Sequence, residues 1–429
     1  MRRSAAFRAA VLATLLLFAV SCASTQLPPI SSQGRSFAPL RDEAALWEQS
    51  REEEEKLLGQ VKLYGDRELD GYLEEVVDRL NPPAMAANTA VHYKVRVIED
   101  PTLNAFAYPH GSIYVHTGLL ARMEDEDELA TVLGHEMTHV ENRHMLRYQR
   151  SEHNKAVGLS VAAITASVVL AVAEGNALDH GDWGKAEVLD VFGNLMVGLG
   201  LQLAFQASVN GYGRGLETEA DLGGFGKLAA AGYDLQEAPK VYQALLDDQG
   251  EPHSKAEAFF FGSHPRLSER IEVTRKYVAQ HPGAKVSEDH AYREDAFARH
   301  IRPVVRDDAR LNIEMGRLTI AEAELRKARE WMPSDPETHY LRGRLRLAQA
   351  NGKAAEEARG LRRDAEDAFR KSIELDAKRP APHRELGLLL RDRGDLRGAC
   401  VQLQRYQKLA PDAEDGEEIE GVVAALRCG

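Results

Sequence analysis

"TVLGHEMTHVENRH", residues 131–144, packs three histidines and two glutamates into one short stretch. Two histidines four residues apart on a helix are separated by about 400°, so His135 and His139 share a face and can hold one ion between them. Glu136 sits beside them, where it can reach a metal-bound water. This is the H-E-x-x-H spacing of a zinc peptidase, with the glutamate as general base. Leu129, Val132, Leu133 and Val140 add a core-facing stripe, which separates the segment from a solvated helix that merely carries two histidines.

His144 does not complete the set. Peptidases that draw three histidines from one stretch place the last ten residues after the first, with a glycine at the seventh. Here the interval is nine and position 142 is Asn. A helix that simply continues for nine residues turns through about 900°, which leaves His144 on the face opposite His135. The third ligand is expected from elsewhere in the chain.

The N-terminus indicates the compartment. "MRRSAAFRAAVLATLLLFAVSC" places three arginines before an apolar run from Ala9 to Val20, too short to span a membrane comfortably and followed by small residues and Cys22. This reads as an export signal over 1–22. Ala19 to Cys22 resembles a bacterial lipoprotein cleavage box, so a lipid on Cys22 is expected to anchor the mature chain; a plain secretory signal is the alternative. Ala23 after the cysteine resembles lipoproteins passed on to the outer membrane. The Ser-, Pro- and Gln-containing stretch 23–41 reads as a tether. The expected location is therefore the periplasm, lipid-anchored, at the outer membrane rather than the inner.

With 429 residues and 44% hydrophobic composition, the chain can form two or three domains with real cores. A formal net charge of −13 argues against nucleic acid as a partner. Of the three cysteines, Cys22 is the lipid candidate; Cys400 and Cys428 are either a disulfide in an oxidising compartment or two separate thiols.

Residues 42–80 have helical spacing. "HYKVRVIED" and "GSIYVH" alternate like strands, with the turn signals of "NAFAYPHG" between them. A small sheet ahead of the metal helix gives an extended substrate an edge to lie along, and the same pattern fits an ordinary hairpin bracing the helix. Residues 156–173 carry no charge for eighteen residues, and a second apolar stretch, 188–205, follows with Asp190, Asn194 and Gln202 in it. They read as a buried or membrane-apposed helical pair, with a membrane span as the alternative.

"NGYGRGLETEADLGGFGKL", residues 210–228, supplies the missing ligand. Glu217 and Asp221 share a helix face, whereas Glu219 points well away from both. Glu217 can be the third zinc ligand. Asp221 can accept the free ring N–H of a zinc histidine and so fix its tautomer.

Together these residues resemble the membrane-associated zinc endopeptidases that include the CaaX prenyl endopeptidase, HtpX and the periplasmic BepA. The resemblance runs from about Trp47 to Gly283. "NAFAYPHGSIYVHTGLL" is similar to the family's Asn-Ala-Phe-Ala hairpin, with His110 in place of a glycine. "HEMTHVENRH" matches the metal helix, and by that match His144 lies outside the ligand set. "GRGLETEAD" resembles the Ser-Arg-x-x-Glu-x-x-Ala-Asp segment, with Gly213 in place of Ser. "SHPRLSERI", 263–271, resembles the His-Pro segment of BepA-like members, which implies that His264 can occupy the open zinc position and hold the enzyme off.

Residues 304–429 carry a repeat. "FRKSIELDAKRPAPHRELG" from Phe369 overlays the segment from Leu325 at an offset of 44 and the segment from Leu403 at 34. Thirty-four is the tetratricopeptide period, and the extra residues fall in the charged stretch 352–366. Such repeats stack into concave surfaces that bind peptides or proteins.

The resulting expectation is an α+β zincin-like metallopeptidase domain over 42–285, mostly helical with a small sheet. A linker over 286–303 and an all-α tetratricopeptide-repeat array over 304–429 follow. One Zn2+ per chain is expected on His135, His139 and Glu217, with Glu136 and Asp221 as catalytic residues and His264 as the reversible fourth ligand. The expected substrates are unfolded or misassembled envelope proteins, with the repeats available to outer-membrane assembly machinery. Two other readings stay open: a chaperone-like repeat scaffold with a silent metal site, and a membrane-embedded protease.

Overall fold

The structure is a computed structural model that describes residues 23–88, 90–155, 212–248 and 267–428. The signal and lipid-site reading of 1–22, the apolar stretch 156–205 and the proposed latch His264 lie outside the described residues. The chain divides into two compact units. The first comprises 1–98, 103–115 and 124–290, and the second 99–102, 116–123 and 291–429.

The first unit contains helices α1 (Arg41–Leu58) and α2 (Arg67–Leu80), followed by strands β1 (Lys94–Ile98), β2 (Ala105–Ala107) and β3 (Ser112–His116). Asp66 starts α2 by accepting from the backbone N–H groups of Glu68 and Leu69, which have no partner within the helix. Leu69, Tyr72, Leu73, Val76, Val77 and Leu80 then bury one stripe at the helical period. The sheet order is β1-β3-β2. Strands β2 and β3 pair antiparallel, with Ala105 opposite Val115 and Ala107 opposite Ile113, so among the described residues the short β2 is an edge strand.

After α3 (Thr117–Arg122), which belongs to the second unit, comes α4 (Glu126–Glu141), which carries His135, Glu136 and His139. The Asp125 carboxylate accepts from Glu128 N–H at 2.8 Å, and the acidic first turn of Glu126, Asp127 and Glu128 suits the positive end of the helix dipole. Every residue of α4 is buried. Its axis is crossed closely by α5 (Arg214–Ala231), and two glycines allow the approach. A Cβ at Gly223 would meet Thr138 Cγ2 at 2.4 Å, and one at Gly224 would stand 3.0 Å from His135 N. The glycines of "DLGGFG" therefore let α5 bring its acidic residues against the histidines. Helices α6 (Ala238–Asp248) and α7 (Leu267–Gln280) pack on each other, and α7 also packs on α5.

Helix α4 does not continue to His144. It ends at Glu141, Asn142 caps it, and Arg143 adopts a left-handed conformation at φ 58°. The chain is helical again over 144–155. The face argument that placed His144 opposite His135 assumed one uninterrupted helix, and this turn breaks it.

The second unit is helical in its described residues: α8 (His290–Glu314, shared at its first residue with the other unit), α9 (Leu318–Trp331), α10 (Pro336–Ala350), α11 (Ala355–Leu375), α12 (Pro380–Arg393), α13 (Leu396–Leu409) and α14 (Gly416–Ala425). The linker expected over 286–303 is corrected here, because most of it forms the first half of α8. Phe297, Ile301, Val304 and Val305 bury a helical stripe straight through that boundary. From α9 onward each helix packs on the next. The positions that align in the repeat do equivalent work. A Cβ at Gly343 would run into Phe369, and one at Gly387 into Leu403, so the first large residue of each segment seats on the last glycine of the segment before. The offset of 44 is absorbed by α11, whose 21 residues exceed the 14 or 15 of its neighbours α10 and α12. Cys400 on α13 and Cys428 after α14 form a disulfide, with Cα atoms 5.5 Å apart. Among the described residues no helix is long and apolar enough to cross a membrane.

Candidate metal centre

His135 and His139 emerge one turn apart on α4, and Glu217 stands in the first turn of α5. The structure brings them together. His135 Nε2 lies 2.9 Å from His139 Nε2, 3.5 Å from Glu217 Oε2, and His139 Nε2 lies 3.7 Å from Glu217 Oε1. All three residues are buried, at 3–4% exposure, and their ligand atoms fit within 4.8 Å of one another. Tetrahedral zinc ligands at about 2.0–2.1 Å from the metal stand about 3.4 Å from each other. The observed separations bracket that value, and two imidazoles with one carboxylate are a donor set zinc accepts, so the residues present fit the ion.

The electrostatics favour a cation. Burial and the nearby Arg270 guanidinium pull the His135 ring down, but hydrogen bonds to Asp221 and Glu217 outweigh them and raise it to about 9. The carboxylate field that holds a proton there is the field a dication needs. Glu136, 3% exposed, occupies the turn between the two histidines.

Each histidine's second ring nitrogen has a buried partner. His135 Nδ1 lies 2.9 Å from Asp221 Oδ1, the contact expected of a carboxylate that fixes a ligand tautomer. His139 Nδ1 lies 2.9 Å from His144 Nδ1, delivered by the turn at Arg143. Burial, then the charge of Arg147, lowers His144 to about 4, so it is neutral and able to accept. Tyr212 stacks on the His139 ring, with centroids 4.4 Å apart and planes at 27°. Burial, followed by the carboxylates of Glu136 and Glu217, keeps its phenol protonated well above the ordinary range.

Sequence reading missed Arg270. This residue of α7, 5% exposed, donates to Asp221 Oδ1 at 2.7 Å and to the Tyr242 hydroxyl at 3.0 Å. Its guanidinium carbon lies 4.2 Å from the Tyr242 ring centroid. Burial alone would push Asp221 up; Arg270 first, then His135, overcomes that and holds the carboxyl below its usual range. The signal was in "SHPRLSERI", where attention fell on His264. A cavity of about 180 Å3 opens beside Glu217, lined by Arg214, Thr218, Asp221, Glu269 and Arg270 among others.

Residues 67–278 match the family described as Peptidase family M48. The chain is 28% identical over 228 residues to the beta-barrel assembly-enhancing protease of Yersinia pestis, and 27% identical over 225 residues to that of Escherichia coli. It is 29% identical over 223 residues to the mitochondrial metalloendopeptidase OMA1 of Schizosaccharomyces pombe. These alignments cover 51–52% of this chain, 42% of each bacterial relative and 57% of the yeast one; the chain spans about half the length of the curated relatives it matches. On this match the chain belongs, through residues 67–278, to peptidase family M48.

Proposed function

We propose that the chain is a zinc metalloendopeptidase that degrades misfolded or stalled envelope proteins. The observation that carries this reading is the convergence of His135, His139 and Glu217 on one buried point with Glu136 in the intervening turn. Bound there, zinc supplies a Lewis acid that acidifies water and polarises a peptide carbonyl. Glu136 takes a proton from the attacking water and returns it to the leaving amine. Asp221 holds the His135 tautomer, and Arg270 keeps Asp221 charged while doing so. The edge strand β2 packs against α4 and offers backbone groups along which an extended substrate can align. His264 retains its proposed role as a resting latch on the family resemblance.

The names of the bacterial relatives support envelope substrates, and the Cys400–Cys428 disulfide supports an oxidising compartment such as the periplasm. We assign the lipid on Cys22, the outer-membrane location and the tetratricopeptide reading of 304–429 to the same proposal. Stacked helices with equivalent seats at Gly343 and Gly387 support the last of these, with the repeats recruiting substrate or assembly machinery. The test is cleavage of an unfolded outer-membrane protein by the purified chain. Activity lost to a zinc chelator and restored by zinc supports the reading, and chelator-resistant cleavage or none at any zinc level contradicts it.

A further inference from the structure

Both ligand histidines turn Nε2 toward the metal centre, so each must carry its proton on Nδ1 and needs an acceptor there. His135 has a carboxylate, Asp221. His139 has a second imidazole, His144, which is wholly buried at 0% exposure. We infer that His144 is the positioning residue for His139, and that it connects the metal ligand to an ion pair at the protein surface; the inference rests on the zinc reading above.

The connection runs through three contacts. His144 Nδ1 accepts from His139 Nδ1 at 2.9 Å, so the His144 proton resides on Nε2. That nitrogen lies 3.4 Å from Glu219 Oε2, near enough to feel its charge but without a hydrogen bond between them. Glu219 in turn accepts from both terminal nitrogens of Arg147, at 2.5 and 3.0 Å. The Glu219 side chain is 45% exposed, so the line begins in solvent and ends on the metal ligand. A neutral ring is a weaker acceptor than a carboxylate, and the Glu219 charge 3.4 Å behind His144 compensates electrostatically by favouring the ring with its proton on Nε2.

The backbone is arranged to deliver this ring. Arg143 has φ 58°, a conformation that costs a side-chain-bearing residue free energy and persists where surroundings enforce it. The enforcement is a buried, two-pronged pair with Glu43 of α1, at 2.8 and 2.5 Å. Without that turn α4 would run on and carry His144 away from His139. The two faces of the centre thus differ: His135 is held by a buried Asp–Arg pair, and His139 by a line whose outer end any surface partner can reach.

The experiment compares wild type with His144→Phe, His144→Asn and Glu219→Gln. Readouts are the zinc dissociation constant by chelator competition, the visible spectrum of the cobalt-substituted protein, and thermal melting. His144→Phe keeps a ring but removes the acceptor and weakens zinc by about 10- to 100-fold with a shifted cobalt spectrum. His144→Asn, whose side-chain oxygen takes the place of Nδ1, restores most of the affinity and the spectrum. Glu219→Gln moves both in the same direction by a smaller factor. Wild-type affinity and spectrum in His144→Phe overturn the inference while leaving the zinc reading standing. Should His144→Phe not fold, unchanged affinity and spectrum in Glu219→Gln overturn it. A wild type that binds no zinc overturns both readings.

Discussion

Arg270 and Asp221 form a fully buried ion pair, 2.7 Å apart, directly behind His135. Removing one partner of a buried pair leaves an uncompensated charge, at a cost of about 3–5 kcal/mol. Arg270→Met is expected to lower thermal stability by that order. Asp221→Asn keeps shape but loses the charged acceptor, and is expected to weaken zinc by about 10- to 100-fold. Melting curves and metal titrations check the two separately.

Gly223 faces Thr138 across the crossing of α4 and α5. Gly223→Ala inserts a methyl where a backbone-anchored side chain already stands, and overpacking of this kind costs about 1–3 kcal/mol. Because the crossing sets the distance between Glu217 and the histidines, zinc affinity is expected to fall with it. Gly226→Ala, whose Cβ meets nothing within 4 Å, serves as the control and is expected to retain both.

Asp308 and Glu324 form a buried carboxyl pair in the second unit. Thr117 donates to Asp308 at 2.7 Å, Asn312 to both carboxyls at 2.9–3.0 Å, and Arg122 to Glu324 at 2.9 Å. Burial raises Asp308 to about 6, and burial plus the Asp308 charge holds Glu324 well above the usual range. A carboxyl raised on folding binds protons more tightly in the native state. Its contribution is therefore fully present below the unfolded pKa of about 4 and is lost as pH rises through the folded value. Stability is expected to decline by on the order of 1–3 kcal/mol as pH climbs from about 4 past 6. Glu324→Gln fixes the neutral form and is expected to flatten that slope in denaturant titrations.

The Cys400–Cys428 bridge has a sequence separation of 28. In the loop-entropy model such a closure is worth about 3–4 kcal/mol. Cys428→Ser is expected to free α14 from α13, seen as faster amide exchange over 416–425. Thiol counting on denatured, unreduced protein from an oxidising compartment is expected to find neither cysteine free; two free thiols would remove the bridge.

The convergence of His135, His139 and Glu217 was legible because the spacing obeys helical geometry: His135 with His139, and Glu217 with Asp221, each lie four apart on one face. The sheet and the helical second half were legible from period and turn residues. His144 stays outside the His135, His139 and Glu217 group, as expected, but its contact with His139 was not foreseen, because that depends on where α4 ends, and the terminator is a left-handed arginine held by Glu43 from a distant helix; no local signal marks it. Arg270 escaped notice because an arginine on an amphipathic helix is ordinarily a solvated residue, and only the packing of α7 against α5 turns it inward. The linker over 286–303 failed for the opposite reason. The buried stripe from Phe297 to Val305 continues the helix through Pro303 and across that range.

The central claim is a zinc centre of His135, His139 and Glu217 served by Glu136 as base. The most direct measurement is zinc content together with proteolysis of one unfolded protein by wild type, Glu136→Gln and Glu217→Ala. The account predicts one zinc per chain and cleavage in wild type, one zinc without cleavage in Glu136→Gln, and neither in Glu217→Ala. Full cleavage by Glu136→Gln, or a full complement of zinc in Glu217→Ala, would contradict it.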